Sequence, residues 1–286
     1  MTQFIVMGYP AYAYTGGRAF DPSLPAIVFV HGAALDHSVW QWQSRYLAHH
    51  GHSVLAVDLP GHGRSPGLPR TSIDAMADWV AAFIEAANLA CAAVVGHSMG
   101  SLVALETARR HAARVSRLAL IAPAMPMAVG APFLAAAHDD APEAFDMETV
   151  WGHARSALIA GSAVPGTYLV GASRQLNARS RTGVQHTDLV ACDTYRVPLD
   201  ALRELKAPTL VIAGKRDQMT PFKAGRAVAD AIPGSRFVAI DAGHAMMSEA
   251  PRETLFALRA LIRTMCSTST RMQPRRRSAI APRPSR

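Results

Sequence analysis

Short apolar runs alternate with segments of helical periodicity along most of this chain, and that alternation limits the folds open to it. Six runs predict strands: "AIVFVHG" (26–32), "HSVLAVDLPG" (52–61), "CAAVVG" (91–96), "RLALIAPA" (117–124), "APTLVIAG" (207–214) and "RFVAIDAG" (236–243). Strands that are apolar along their whole length, with helices between them, are typical of a parallel sheet covered on both faces. The sequence therefore predicts an α/β fold built on a mostly parallel, doubly wound sheet.

The segments between these runs predict helices at 39–51, 72–89, 221–232 and 251–265. One interval interrupts the alternation, because about 80 residues separate Ala124 from Ala207 and a strand–helix connection usually takes a handful. Helical periodicity inside this interval predicts a helical cap inserted between two strands, with pieces at 143–160, 167–179 and 186–192. We accordingly divide the chain into a core (1–124 and 200–266), a cap (125–199) and a tail (267–286).

The tail carries the excess positive charge of the chain. It holds six arginines and no acidic residue, which leaves 23 Lys+Arg against 21 Asp+Glu in the rest of the chain. A segment rich in Ser, Pro and Arg cannot bury enough apolar surface to fold, so we expect it to be disordered. No base-reading motif accompanies it, and we expect no nucleic-acid partner.

Cellular location and partners can be predicted only from what the sequence lacks. No run of 18 uncharged apolar residues predicts a membrane span, and residues 1–20 lack the basic start of a secretion signal. The cysteines Cys91, Cys192 and Cys266 fit no metal or redox spacing. We therefore predict a cytoplasmic protein without metal or organic cofactor, and a homodimer is left open.

Ser98 stands where a predicted strand ends and a predicted helix begins, with a glycine two residues away on each side in "GHSMGS". A sharp strand–turn–helix that exposes a serine requires strained dihedrals, and side chains at Gly96 and Gly100 would collide there. The turn also directs the amide of Met99 towards any oxygen beside Ser98. This context predicts a nucleophile rather than a capping serine.

A serine hydroxyl needs a base, and histidine held by a carboxylate is the natural one near neutral pH. His244 follows the last predicted strand, and Asp217 leaves a neighbouring strand end. Asp241 lies only three residues before His244 and is the weaker candidate for the acid. A second oxyanion donor is expected in "VFVHGAALDHSVW", where we choose the amide of Ala33.

Five motifs in order, "HGAALDHSVW", "DLPGHGRSPG", "GHSMGS", "GKRDQMTP" and "DAGHAMMSEAP", resemble the α/β-hydrolase superfamily in its capped, esterase-like branch over about residues 3–265. The resemblance implies the α/β-hydrolase fold, with the acid at Asp217 and the base at His244. The turn that carries Ser98 is called the elbow below. A serine at this position argues against the haloalkane dehalogenase and epoxide hydrolase branches, which usually carry aspartate there.

These residues predict a serine hydrolase of small to medium carboxylic esters with an apolar acyl or alcohol part, acting through an acyl-enzyme. Met125, Met127 and Met246 are candidates for the apolar substrate pocket, since thioethers adapt to varied shapes. Met247 is a further candidate. Three alternatives stay open: carbon–carbon bond hydrolysis on the same three residues, cofactor-free peroxidation, and a non-catalytic receptor for a small ligand.

Overall fold

The computed structural model describes residues 2–159 and 162–263. The tail at 267–286 and Cys266 lie outside the described residues. The strands are β1 Thr2–Val6, β2 Tyr9–Tyr14, β3 Ala26–Val30, β4 Ser53–Val57, β5 Ala92–His97, β6 Val115–Ile121, β7 Thr209–Gly214 and β8 Arg236–Ile240. The helices are α1 Gln41–Ala48, α2 Ile73–Ala86, α3 Met99–Arg110, α4 Ala131–His138, α5 Pro142–Trp151, α6 Arg155–Leu158, α7 Leu169–Asn177, α8 Val184–Thr194, α9 Phe222–Ala231, α10 Met246–Glu249 and α11 Pro251–Ile262.

The eight strands form one sheet in the order β1-β2-β4-β3-β5-β6-β7-β8. Strand β2 runs antiparallel to β1 and β4, and every other neighbouring pair is parallel. Residues of β3, β4 and β5 are buried on both faces, which explains why these strands are apolar throughout. The predicted α/β class and mostly parallel sheet are confirmed.

Helices cover both faces of the sheet. Helices α1 and α11 pack on one face around Trp40 and Leu258, while α2, α3 and α9 pack on the other around Phe83 and Leu102. The Ser72 hydroxyl caps α2 by accepting a hydrogen bond from the Ala75 amide (3.2 Å). Among the described residues, no helix has both the length and the apolar character needed to cross a membrane.

Helices α4 to α8, which we call the inserted helices, lie between β6 and β7. The segment predicted as one helix at 143–160 contains two, α5 and α6, because Ala154 between them has an extended backbone (φ −63°, ψ 147°). Helix α4 was not predicted: half of its sequence, "APFLAAAH", is alanine, and it has too few polar residues to show a helical period of hydrophobicity. The inserted helices and the strand ends enclose a cavity.

Candidate functional site

Ser98 occupies a strained turn between β5 and α3. Its dihedrals are φ 54° and ψ −122°, a combination that residues with side chains rarely adopt. A Cβ atom at Gly96 would lie 1.8 Å from the Gly100 carbonyl oxygen, and one at Gly100 would lie 2.4 Å from the carbonyl oxygens of Val30 and His31. Both glycines are therefore required by the tight approach of backbone around Ser98.

His244 and Asp217 meet in the loops that follow β8 and β7. The two side chains are joined by a hydrogen bond of 2.8 Å from His244 Nδ1 to Asp217 Oδ2. Asp217 Oδ2 also accepts from the Thr220 hydroxyl (2.8 Å), and Oδ1 accepts from the amides of Met219 (2.9 Å) and Thr220 (2.8 Å). This arrangement puts the proton on Nδ1 of His244 and leaves Nε2 as the basic nitrogen.

Mutual attraction shifts the pKa values of this pair. Burial by itself raises the pKa of Asp217, but the charge and hydrogen bond of His244, helped by Thr220, outweigh burial and lower that pKa. Burial by itself lowers the pKa of His244, yet Asp217, with smaller effects from Glu148 and Glu249, leaves it raised above its ordinary value. Asp217 is therefore ionised near neutral pH and favours a proton on the imidazole.

Ser98 and His244 open into the same cavity. The loop that carries His244 is tied to the elbow, because His97 Nε2 donates to the His244 carbonyl oxygen (3.0 Å) and the two rings lie 4.7 Å apart. Burial lowers the pKa of His97 to about 3, so this ring is neutral. Like His31, which bonds the Gly32 carbonyl and the Leu59 amide, it supports the turn from beneath.

The loop after β3 passes directly beside Ser98. A Cβ atom at Gly32 would lie 3.3 Å from the Ser98 Cβ, so the backbone that leads to Ala33 is in close contact with the elbow. Neither the Ala33 amide nor the Met99 amide donates a hydrogen bond to another described residue. Both amides are thus available to an oxygen atom beside Ser98.

Asp188, on α8, anchors this loop from the inserted helices. Its Oδ2 accepts from the Ala34 amide (2.9 Å) and from His62 Nε2 (2.7 Å), while His62 Nδ1 faces the Pro60 carbonyl oxygen at 3.0 Å. Two acceptors, one at each ring nitrogen, favour the protonated imidazolium. Burial opposes that charge, but Asp188 outweighs burial and raises the pKa of His62. Asp188 was not predicted as a site residue, because the sequence does not show whether one acidic residue in a helical stretch is buried.

The cavity has a volume of about 760 Å³, within the usual range for small-molecule sites. Met127 and Met247 lie on its wall. Met125 and Met246 instead pack in the hydrophobic core on opposite faces of the sheet. The structure therefore does not support the predicted substrate contact for these two, whose burial depends on packing that the sequence does not encode locally. Glu148, which α5 contributes to the wall, was also not predicted from the sequence.

Among the described residues, Asp36, His37 and Asp58 form the one group with metal-ligand atoms close together. Their oxygens already have partners: Asp58 accepts from the His37 ring and from the amides of His37 and Arg64, and Asp36 accepts from the Ser38 amide. These bonds stabilise the loops after β3 and β4. The group lies outside the cavity that Ser98 opens into, and we assign it no metal.

The sequence profile of the family described as alpha/beta hydrolase fold matches residues 25–251. This chain belongs to that family. A non-heme chloroperoxidase of Streptomyces lividans is 31% identical over 230 residues, which are 73% of this chain and 78% of the relative. A pimeloyl-[acyl-carrier protein] methyl ester esterase of Chromobacterium violaceum is 29% identical over 232 residues, covering 73% of this chain and 82% of the relative.

Solved structures share the same fold. The enol-lactonase of Burkholderia xenovorans LB400 superposes with a TM-score of 0.79 at 23% identity, and the match covers 92% of this chain and 100% of that one. At this identity the likeness concerns the fold only. What these proteins act on does not by itself transfer to this chain.

Proposed function

We propose that this protein is a serine hydrolase of carboxylic esters, with Ser98 as nucleophile, His244 as base and Asp217 as the acid that orients the imidazole. The observation that carries the proposal is the pairing of His244 with Asp217 at 2.8 Å, on the wall of the cavity that Ser98 enters from a strained turn. Strain at a polar residue costs free energy, and such strain concentrates at functional sites.

The proposed reaction begins when His244 Nε2 removes the proton from the Ser98 hydroxyl, and the oxygen attacks the ester carbonyl carbon. The amides of Ala33 and Met99 stabilise the negative charge that forms on the carbonyl oxygen. Losing one such donor costs about 3–4 kcal/mol of barrier in comparable sites. His244 then protonates the leaving alcohol, and the acyl group stays on Ser98.

Water completes the cycle. His244 removes a proton from a water molecule, which attacks the acyl carbon, and the carboxylic acid leaves as Ser98 recovers its proton. Asp217 stays ionised throughout and stabilises the imidazolium. The apolar part of the cavity wall, which includes Met127, Phe133 and Leu169, suits an apolar acyl or alcohol chain.

The relatives support ester hydrolysis and also favour a second candidate. The esterase relative supports carboxylic esters, while the chloroperoxidase relative supports peroxidation on the same residues. The two reactions share the acyl-enzyme: hydrogen peroxide in place of water would release a peracid instead of an acid. Carbon–carbon bond hydrolysis and a non-catalytic receptor stay open as alternatives, with no observation that favours either.

Release of nitrophenol from 4-nitrophenyl esters of short and medium acyl chains tests the proposal, with Ser98→Ala as the matched control. We expect turnover by the natural chain and a loss of at least about 10³-fold in the variant. Adding hydrogen peroxide and bromide to an ester assay measures the peroxidase candidate in parallel. No turnover of any ester, thioester or lactone, with undiminished small-molecule binding by Ser98→Ala, would instead identify a receptor.

A further inference from the structure

Glu148 is the one acidic side chain among the described residues that line the cavity. It projects from α5, one of the inserted helices, into a wall that contains both apolar and polar side chains. Large apolar side chains such as Phe133, Trp151 and Leu169 form part of that wall. A carboxyl group in such surroundings calls for a physical explanation, because burying it costs free energy unless it is paired.

Only one of the two Glu148 oxygens has a partner in the described protein. Oε2 accepts a hydrogen bond from Gln185 Nε2 on the neighbouring helix α8, which fixes the direction of the carboxyl group. Oε1 has no hydrogen-bond partner among the described residues and is not fully buried, so it faces the cavity. The protein thus presents one free, oriented acceptor to whatever the cavity holds.

Among the described residues of the cavity wall, no lysine or arginine pairs with Glu148, and the attraction of His244 together with the Gln185 hydrogen bond only partly offsets the effect of burial. Arg179 is the one lysine or arginine among the described lining residues, but its guanidinium bonds Asp36 at 3.3 Å and is 66% exposed at the mouth of the cavity. Burial therefore disfavours the charged form of this carboxyl group and raises the pKa of Glu148 to about 7. A positive or proton-donating group beside Oε1 would offset this effect of burial.

We propose that Glu148 is a specificity residue that accepts a hydrogen bond from a donor group of the substrate, an ammonium most strongly and a hydroxyl less so, on the part of the ester remote from the carbonyl that Ser98 attacks. This inference rests on the proposed ester hydrolysis and specifies which class of ester the cavity prefers. Esters that end in a carboxylate are selected against, because that group would face Glu148 with like charge in a medium of low dielectric constant.

Four methyl esters of matched length test this proposal: methyl heptanoate, methyl 6-hydroxyhexanoate, methyl 6-aminohexanoate and monomethyl adipate, which end in methyl, hydroxyl, ammonium and carboxylate groups. Hydrolysis is followed by titration of the released acid at about pH 8.5, where Glu148 is ionised and the amine is still protonated. A second series, acetates of alcohols with the same end groups, covers binding in the opposite orientation.

We expect kcat/KM of the natural chain to fall in the order ammonium, hydroxyl, methyl, carboxylate in at least one series. Glu148→Gln keeps the size and the bond to Gln185 but removes the charge, and should lower the ammonium-to-methyl ratio by about tenfold or more. Glu148→Asp keeps the charge and should retain the preference for ammonium over carboxylate. Glu143→Gln removes an exposed charge from the same helix and should leave the ratios unchanged.

Failure of this inference and failure of the proposed function give different results. Turnover of the methyl-ended ester with no preference among the four end groups, or ratios that Glu148→Gln leaves unchanged, would overturn the role of Glu148 and leave ester hydrolysis intact. No turnover of any member, or of 4-nitrophenyl esters, would overturn ester hydrolysis itself. If Glu148→Gln does not fold, the order of kcat/KM among the four end groups, measured for the natural chain, still supports or contradicts the role of Glu148.

Discussion

Ser98 shows how single residues and their immediate neighbours shape this site. Its φ of 54° is tolerated because Gly96 and Gly100 leave room where a Cβ atom would overlap backbone atoms. Holding a residue in such a conformation costs about 1–3 kcal/mol, which the surrounding sheet and helix must supply. The spacing of two glycines around a serine, between a predicted strand and a predicted helix, was the basis on which the turn was predicted from sequence.

The raised pKa of His244 predicts the pH dependence of the proposed reaction. The base acts only when neutral, so kcat/KM should be low at acid pH and rise with pH through the pKa of His244 in the free enzyme. Because Asp217 raises that pKa, the midpoint should lie above the value of 6.5 for an ordinary histidine. Initial rates across the pH range measure it, and a midpoint below 6.5 would contradict the assignment of His244.

Replacing Asp217 with Asn tests the role of the acid. The amide can still accept from the backbone at Thr220, but it would donate to His244 Nδ1 and so move the imidazole proton to Nε2. A base whose reactive nitrogen is already protonated cannot activate Ser98, and we expect kcat to fall by about 10³–10⁴-fold.

Asp241 provides the matched control for that change, because it was the weaker candidate for the acid. Its side chain is 58% exposed and pairs with Arg216 rather than with His244. Asp241→Asn should leave kcat within about twofold, since the pair is exposed to solvent. A larger loss of kcat in Asp241→Asn than in Asp217→Asn would instead identify Asp241 as the acid.

At the scale of elements, the contact between α8 and the loop after β3 joins the inserted helices to the site. Asp188 is fully buried, and its Oδ2 binds both the Ala34 amide and the His62 ring. Ala34 itself has a φ of 55°, so an external acceptor helps to hold the loop in this conformation. Ala33 precedes Ala34 in the chain, so we expect the position of its amide to depend on this contact with a helix that lies about 150 residues away in sequence.

The His62–Asp188 pair predicts a pH-dependent stability. A histidine whose pKa is raised on folding contributes stabilisation that is complete below its unfolded pKa, about 6.5, and is lost as pH rises through the folded value. The free energy of unfolding of the natural chain should therefore exceed that of Asp188→Asn by more at pH 6 than at pH 9. Urea unfolding of both chains at both pH values measures this difference.

The Asp188→Asn variant also separates a role of Asp188 in positioning the site from its effect on the stability of the fold. If Asp188 helps to place the Ala33 amide, Asp188→Asn should lower kcat more than it raises KM, because an oxyanion donor acts in the transition state. A difference in unfolding free energy that stays constant with pH would contradict the proposed ion pair. An unchanged kcat in a folded variant would show that the loop keeps its conformation without the charge.

At the scale of the whole molecule, residues 2–159 and 162–263 build the eight-stranded sheet, the helices on its two faces and the cavity wall described above. Deleting residues 267–286 should therefore leave kcat/KM and the midpoint of thermal unfolding unchanged, although it removes six arginines. Ester assays and thermal unfolding of the shortened chain measure this. A large loss of activity without unfolding would assign a role to the tail.

The predictions of a cytoplasmic location, a homodimer and the absence of a metal or organic cofactor stay predictions. Each concerns the surroundings of the molecule, whereas a single folded chain reports mainly on its own interior. The free thiols of Cys91 and Cys192 agree with a reducing environment but do not define a compartment.

The sequence by itself determined the parallel sheet, the turn at Ser98, and Asp217 and His244 as partners at strand ends. These features are encoded locally, in apolar runs and glycine spacing, and parallel strands bring their carboxyl ends to one edge wherever the rest of the chain goes. Only the tertiary structure decided the cavity wall: it placed Met127 on that wall but Met125 in the core, and it brought Glu148 and Asp188 to the site. Such side chains are positioned by packing between elements distant in sequence, which no local pattern records.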